Sequence, residues 1–131
     1  MIKGNIIKTC VEKEKGIWAE TDTPVFVSGK GLEGDRHFGD ETNQICLMDE
    51  EVRKSIDVDP EKGFCYKKIH ENVLTSGIAY EDLKAGDRIE LDGTVLEITA
   101  AGKHCYPDLC DLAKSGEKCP LRGGIAFANV I

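Results

Sequence analysis

The chain lacks any apolar run long enough to span a bilayer, and its first residues show no signal-peptide cleavage pattern, so a cytoplasmic location is expected. It also lacks an excess of positive charge: 17 Lys and Arg stand against 24 Asp and Glu, a formal net charge of −7. Nucleic acid and anionic membranes require a basic surface, so neither is expected as a partner. Aromatic residues make up only 6% of the chain, and the sequence predicts no aromatic stacking platform around the single tryptophan, Trp18.

The length of 131 residues and the 40% hydrophobic content predict a single domain over residues 1–131. Short β-branched and apolar segments at residues 1–11, 44–48 and 124–131 predict strands. Asp92-Gly93 between two alternating segments predicts a β-hairpin. Asp49 followed by two glutamates predicts one short helix that ends before Pro60. Many strands with few helices predict a mainly β fold, a barrel or a sandwich.

Three of the six cysteines lie in the last quarter of the chain, at Cys105, Cys110 and Cys119. Cysteines in a cytoplasmic protein are more often thiols or metal ligands than disulfides. Their spacing differs from the C-x2-C pattern of zinc knuckles, although His104 could complete a zinc site. Cys105 follows Lys103 in a polar loop, where nearby cations favour the reactive thiolate. The remaining cysteines lie in or beside apolar segments and are expected to be small buried residues: Cys10, Cys46 and Cys65.

Residues 29–40, GKGLEGDRHFGD, form a predicted loop with four glycines. The glycines allow positive φ and close approach of the backbone to a ligand, and Arg36 and His37 can donate to an anion such as phosphate. The literal G-x-G-x-x-G match does not predict a dinucleotide site, because Gly39 prevents a helix from opening there. The alternative is a surface loop in which Arg36 is merely paired with Asp35 or Asp40.

Six segments in chain order resemble the MOSC domain, named for the C-terminal domain of molybdenum cofactor sulfurases. They are GLEGDRHFG at 31–39, QICLMDEE at 44–51, ENVLTSGI at 71–78, LKAGDRIEL at 83–91, VLEITAAGKHC at 95–105 and CPLRGGIAFANV at 119–130. The resemblance covers nearly the whole chain and is closest to the small stand-alone bacterial type. It implies a β-barrel-like fold with a few short helices.

The same resemblance implies a pterin-based molybdenum cofactor (molybdopterin), or its tungsten form. The cysteine that the family shares matches Cys105, which would carry sulfur as a persulfide or ligate the metal. Cys110 and Cys119 are accessory thiols that could resolve that persulfide or protect the cofactor. The implied contacts to the cofactor are Gly31, Gly34, Asp35, Arg36, His37, Asn72, Thr75, Arg88 and Lys103.

Three functional hypotheses remain open from the sequence. The first is a cofactor-binding protein acting in carriage, sulfuration or insertion, with a molybdoenzyme or a cysteine desulfurase as its protein partner. The second is a small molybdenum-dependent reductase of N-hydroxylated compounds with a separate electron-donor protein. The third is a zinc-stabilised partner-binding module built on the three C-terminal cysteines.

Overall fold

The computed structural model describes residues 1–59, 61, 69–102 and 123–131. Within these ranges the chain forms nine strands, one α-helix and one 3-10 turn. The strands are β1 (Ile2–Glu14), β2 (Ile17–Glu20), β3 (Phe26–Val27), β4 (Gly31–Leu32), β5 (Ile45–Asp49), β6 (Val73–Ser76), β7 (Arg88–Leu91), β8 (Thr94–Ala101) and β9 (Ile125–Val130). The helix α1 is Glu50–Val58, and the 3-10 turn is Tyr80–Asp82.

Six of these strands close into a barrel in the order β1, β6, β5, β9, β8, β7. Closure occurs where β7 pairs in parallel with the start of β1, Ile2 standing beside Ile89. The middle of β1 pairs with β6, and its last third pairs with β2. The mainly β, barrel-type fold predicted from the sequence is therefore confirmed.

The barrel interior is filled by aliphatic side chains from every barrel strand, including Leu47 on β5 and Ile98 on β8. Burying each such side chain fully contributes roughly 1.5–3 kcal/mol. Strand β5 is apolar on both faces because Ile45 and Leu47 face the barrel core, whereas Cys46 and Met48 belong to a second cluster. That second cluster includes Val52 and Ile56 of α1, four residues apart on one side of the helix.

The β7–β8 hairpin turns at Asp92 and Gly93, which have φ of 48° and 90°. Two successive positive φ values are the requirement of a type I′ turn, and this explains the Asp-Gly sequence. The Asp92 carboxylate also accepts a hydrogen bond from the Ile6 amide over 3.1 Å, so the turn is tied back to β1. None of the helices in the described ranges has the length and apolar character that a bilayer crossing requires.

Candidate functional site

An open cleft of about 820 Å³ lies where the β1–β2 ribbon, the loop of residues 33–43 and the start of β6 meet. Charged, aromatic and apolar side chains all contribute to its lining. The lining residues that matter chemically are Glu12, Lys15, Arg36, His37, Asp40, Asn72, Trp18, His70, Ile69 and Phe127. The structure thus brings Arg36, His37 and Asn72, three residues singled out from the sequence, to one cleft.

Asp35 lies beneath the cleft and is only 5% exposed. One carboxylate oxygen accepts from the backbone amide of Glu12 over 2.7 Å and from Nδ2 of Asn72 over 2.9 Å. The other accepts from the backbone amide of His37 over 3.0 Å. A buried carboxylate requires such compensation, and here the three donors come from three separate segments. Asp35 therefore positions the loop that carries Arg36 and His37.

Asn72 is also buried and is surrounded by backbone and carboxylate partners. Its Nδ2 donates to the Cys10 carbonyl over 3.2 Å as well as to Asp35, and its Oδ1 accepts from the Cys46 amide over 2.9 Å. Both of its donor hydrogens are thereby used. Asn72 holds β1, β5 and the glycine-rich loop together at the floor of the cleft.

Arg36 is held at the cleft by Glu12. Its Nε donates to Oε1 of Glu12 over 2.6 Å, and its backbone amide donates to the Glu12 carbonyl over 2.8 Å. Glu12 is anchored in turn, because its Oε2 accepts from the Gly16 amide over 2.9 Å. The terminal guanidinium nitrogens of Arg36 make no hydrogen bond to any residue in the described part of the chain. They remain available to an anion in the cleft.

These hydrogen bonds change the pKa of the Glu12 carboxyl group. Burial acts to raise the pKa of Glu12, but the hydrogen bonds from Gly16 and Arg36 outweigh it and hold the pKa below its ordinary value. Glu12 is thus stabilised as a carboxylate beside Arg36. Sequence reasoning missed Glu12, since only the β1–β2 pairing and the fold of the loop bring it to Arg36.

His37 presents its ring to the same cleft. Its Nδ1 lies 2.9 Å from Oδ2 of Asp40. An ionised carboxylate can only accept, so Nδ1 is the protonated nitrogen of this pair and Nε2 is left for another partner. The loop backbone between these two residues is also held in place, because the Asp40 amide donates to the His37 carbonyl over 3.0 Å.

Trp18 and His70 form a stacked pair at the cleft, with ring centroids 4.0 Å apart and planes 8° from parallel. The His70 ring is oriented by a hydrogen bond from Nδ1 to the Glu71 carbonyl over 3.0 Å. The Glu71 carboxylate is itself buried and paired with Arg53 of α1. Sequence reasoning missed this pair and predicted no stacking platform around Trp18, because the two residues lie far apart in the chain and on different elements.

Besides Asp35, four described residues that were predicted as contacts lie outside the cleft lining. Gly31 and Gly34 adopt φ of 116° and 89°, which confirms that the loop uses its glycines for positive φ. Thr75 is fully buried beside the Tyr80 hydroxyl and donates to the Met48 carbonyl over 3.3 Å. Arg88 stands on β7, where its Nε lies 3.7 Å from the Glu97 carboxylate. A role for these residues at the cofactor stays a prediction.

The remaining predicted residues, Lys103, Cys105, Cys110 and Cys119, lie outside the described residues. The chain on either side of that segment is described. The Gly102 amide donates to the Ile125 carbonyl over 2.8 Å, and Ala101 pairs with Ala126. Phe127, one residue further along β9, lines the cleft. The described residues that precede and follow that segment therefore lie at β9, a strand that contributes to the cleft. Among the residues that the structure describes, no group of three or more potential metal ligands is found.

No protein-family model and no curated protein sequence matches the chain. Solved structures do share its fold. A crystal structure described as that of an hypothetical protein superposes with a TM-score of 0.58 and 19% identity, over 95% of this chain and 60% of the other. The crystal structure of YiiM from Escherichia coli superposes with a TM-score of 0.50 and 17% identity, over 96% of this chain and 69% of YiiM. The chain thus spans about 60% of the length of the first of these structures. At these identities the likeness is one of fold: this chain shares the fold of YiiM.

Proposed function

We propose that this protein binds a pterin-based molybdenum or tungsten cofactor and acts in its carriage, sulfuration or insertion. The observation that carries the proposal is the state of Arg36. Its Nε is engaged by Glu12, while its terminal nitrogens make no hydrogen bond within the described part of the chain and its side chain is 39% exposed at the cleft. A guanidinium held in this way is prepared to receive the phosphate of such a cofactor.

The charges around Arg36 support an anion at this end of the cleft. Lys15 and His37 line the same cleft as Arg36, so the ammonium of Lys15 and the guanidinium of Arg36 can both face one phosphate. Glu12 and Asp40 offset part of that charge, but Glu12 is directed to Arg36 and Asp40 to the His37 ring. Their effect is to orient the donors, which favours a defined anion over nonspecific attraction.

The size and lining of the cleft fit the rest of such a group. Small-molecule sites enclose roughly 300–1,000 Å³, and the cleft encloses about 820 Å³. Phe127 and Ile69 supply apolar surface beside the polar end, as an organic ring system requires. When bound, the cofactor would supply a soft, sulfur-ligated metal, a natural partner for a cysteine thiolate.

The role of Cys105 rests on the MOSC resemblance, in which it matches the cysteine that the family shares. Cys105 itself lies outside the described residues. We assign its thiol the role of sulfur carrier or metal ligand, because a thiolate is a soft ligand for molybdenum and can accept a sulfane sulfur.

The substitution Cys105→Ser tests this assignment against the alternatives. We expect the variant to fold with an unchanged melting temperature and to lose cofactor retention or sulfur transfer. Cys110→Ser, prepared anaerobically, is the matched control and should retain the cofactor. A collapse of the melting temperature in Cys105→Ser would instead indicate a structural zinc site, because such a site contributes folding free energy directly. Unchanged folding with unchanged cofactor retention and sulfur transfer would contradict the assignment. Turnover of an N-hydroxylated compound with an artificial electron donor would identify a reductase.

A further inference from the structure

The anion-binding end of the cleft and the Trp18–His70 stack are immediate neighbours. Glu12 on β1 and Trp18 on β2 stand directly opposite each other in the antiparallel register. Side chains of directly opposed residues lie on the same face of a sheet, with Cβ atoms roughly 4.5–5.5 Å apart. Glu12 holds Arg36, and both Arg36 and Trp18 line the cleft, so the register brings the guanidinium and the indole to the same side of the β1–β2 ribbon.

The stack is held from both sides before any ligand arrives. Trp18 is fixed by the pairing of β2 with β1, and the His70 ring is fixed by its hydrogen bond to the Glu71 carbonyl. Glu71 is in turn paired with Arg53 on α1. A flat surface that is already ordered loses little conformational entropy when a second flat group is laid against it.

We propose that the Trp18–His70 stack is the binding surface for the planar heteroaromatic ring of a ligand whose phosphate is held by Arg36. The ligand class is therefore a phosphate-bearing planar heterocycle, of which a pterin is one member. This inference rests on the proposed function, since it concerns the same cleft, but it adds a ring subsite that the MOSC resemblance did not include. Phe127 and Ile69 complete the apolar surroundings of the ring.

Trp18 is the only tryptophan of the chain, so intrinsic fluorescence reports on this site alone. A ring stacked at this site changes the intrinsic fluorescence of Trp18, whereas a phosphate bound at Arg36 without a ring leaves it nearly unchanged. The wild-type protein is titrated with three probes: 6-hydroxymethylpterin phosphate, unphosphorylated 6-hydroxymethylpterin and inorganic phosphate. Dissociation constants of the variants are measured by calorimetry, since Trp18 substitutions remove the fluorophore.

We expect the phosphorylated pterin to bind more tightly than either of its parts. Trp18→Ala should weaken binding of the phosphorylated pterin between about 5-fold and about 150-fold, the range that corresponds to loss of one base–aromatic stacking contact. The same variant should leave the affinity for inorganic phosphate unchanged, and Trp18→Phe should restore most of the lost affinity. Phe38→Ala is the matched control, because Phe38 is a 38% exposed aromatic residue of the loop that carries Arg36 and does not itself line the cleft.

Three outcomes would overturn the ring subsite. In the first, Trp18→Ala binds the phosphorylated pterin as tightly as the wild type. In the second, it loses affinity for inorganic phosphate to the same extent, which would make the stack a support for Arg36. In the third, the wild type binds none of the three probes. Failure of the proposed function has a different signature, since it is the absence of metal and pterin from protein purified out of a cofactor-producing cell, whatever Trp18→Ala does to the added probes.

Discussion

Nδ2 of Asn72 donates to Oδ1 of Asp35 over 2.9 Å, across 37 residues of sequence. This bond joins the residue that ends the β5–β6 connection to the loop that carries Arg36 and His37. Both partners are buried, and Asn72 also lines the cleft. Two residues that the sequence singled out as contacts to the cofactor thus hold the walls of the cleft together, and their contact with the cofactor stays a prediction.

Asn72→Ala should destabilise the protein by about 2–4 kcal/mol, because it leaves the Cys46 amide, the Cys10 carbonyl and one Asp35 oxygen without their buried partner. The free energy of unfolding from urea denaturation measures the effect. Asn5→Ala is the control, since Asn5 is an exposed residue of β1, and it should change stability by less than about 0.5 kcal/mol. Equal effects of the two substitutions would show that the Asn72 network does not stabilise the fold.

Arg36→Gln should weaken binding of inorganic phosphate about 10-fold or more, because charge-assisted hydrogen bonds are lost. The melting temperature should fall only modestly, because the glutamine amide can still donate to the Glu12 carboxylate, which is 10% exposed. Calorimetric titration measures the affinity. Lys54→Gln removes an exposed cation of α1 outside the cleft lining and should leave phosphate binding intact. Loss of affinity in both variants alike would indicate a nonspecific charge effect.

Glu12 should make the stability of the protein sensitive to acid. Its pKa is held below the ordinary value, so the ionised form stabilises the folded state above the unfolded pKa of about 4.3. That stabilisation is lost as the pH falls from about 5 through the lowered folded-state pKa. Unfolding free energies measured between pH 6 and pH 3 should therefore fall more steeply for the wild type than for Glu12→Gln. Parallel curves for the two proteins would contradict the assignment.

Gly31→Ala should destabilise the protein by about 1–3 kcal/mol. Gly31 has a φ of 116°, and an added Cβ would lie 3.0 Å from Cβ of Gln44, a buried residue whose amide bonds three backbone groups. Gly34→Ala is the comparison, because Gly34 also has positive φ but open space around the added Cβ. Thermal unfolding of the two variants should rank Gly31→Ala as the more damaging. The reverse order would show that contact with Gln44 does not limit this position.

The elements that sequence patterns predict well here are the local ones. The apolar segment at residues 44–48 corresponds to β5, the glutamates after Asp49 open α1, and Asp92-Gly93 forms the predicted hairpin turn. The strand β2 was missed. Residues 12–16 look like a charged turn, but β1 continues through Glu14 and pairs with β2 across a turn at Gly16. Charged residues are tolerated in this ribbon because several of its side chains face solvent or the cleft.

For the site too, sequence patterns predict the local residues and miss the distant ones. The local motif at Asp35, Arg36 and His37 is visible in the sequence, because glycines and charged residues of this kind occur together in a short segment. The partners that give the motif its geometry are distant: Glu12 and the Trp18–His70 pair reach it only through strand pairing and tertiary packing. No local pattern encodes a register between strands, so these residues could be found only from the structure.

The central claim, that the cleft holds a pterin-based metal cofactor, is tested most directly by the contents of the purified protein. The wild type is purified anaerobically from a host that makes the cofactor. One sample is oxidised and assayed for the fluorescent pterin product, and molybdenum, tungsten and zinc are measured by mass spectrometry in the same preparation. We predict pterin together with nearly one equivalent of molybdenum or tungsten. Zinc without pterin, or neither pterin nor molybdenum nor tungsten, would contradict the claim.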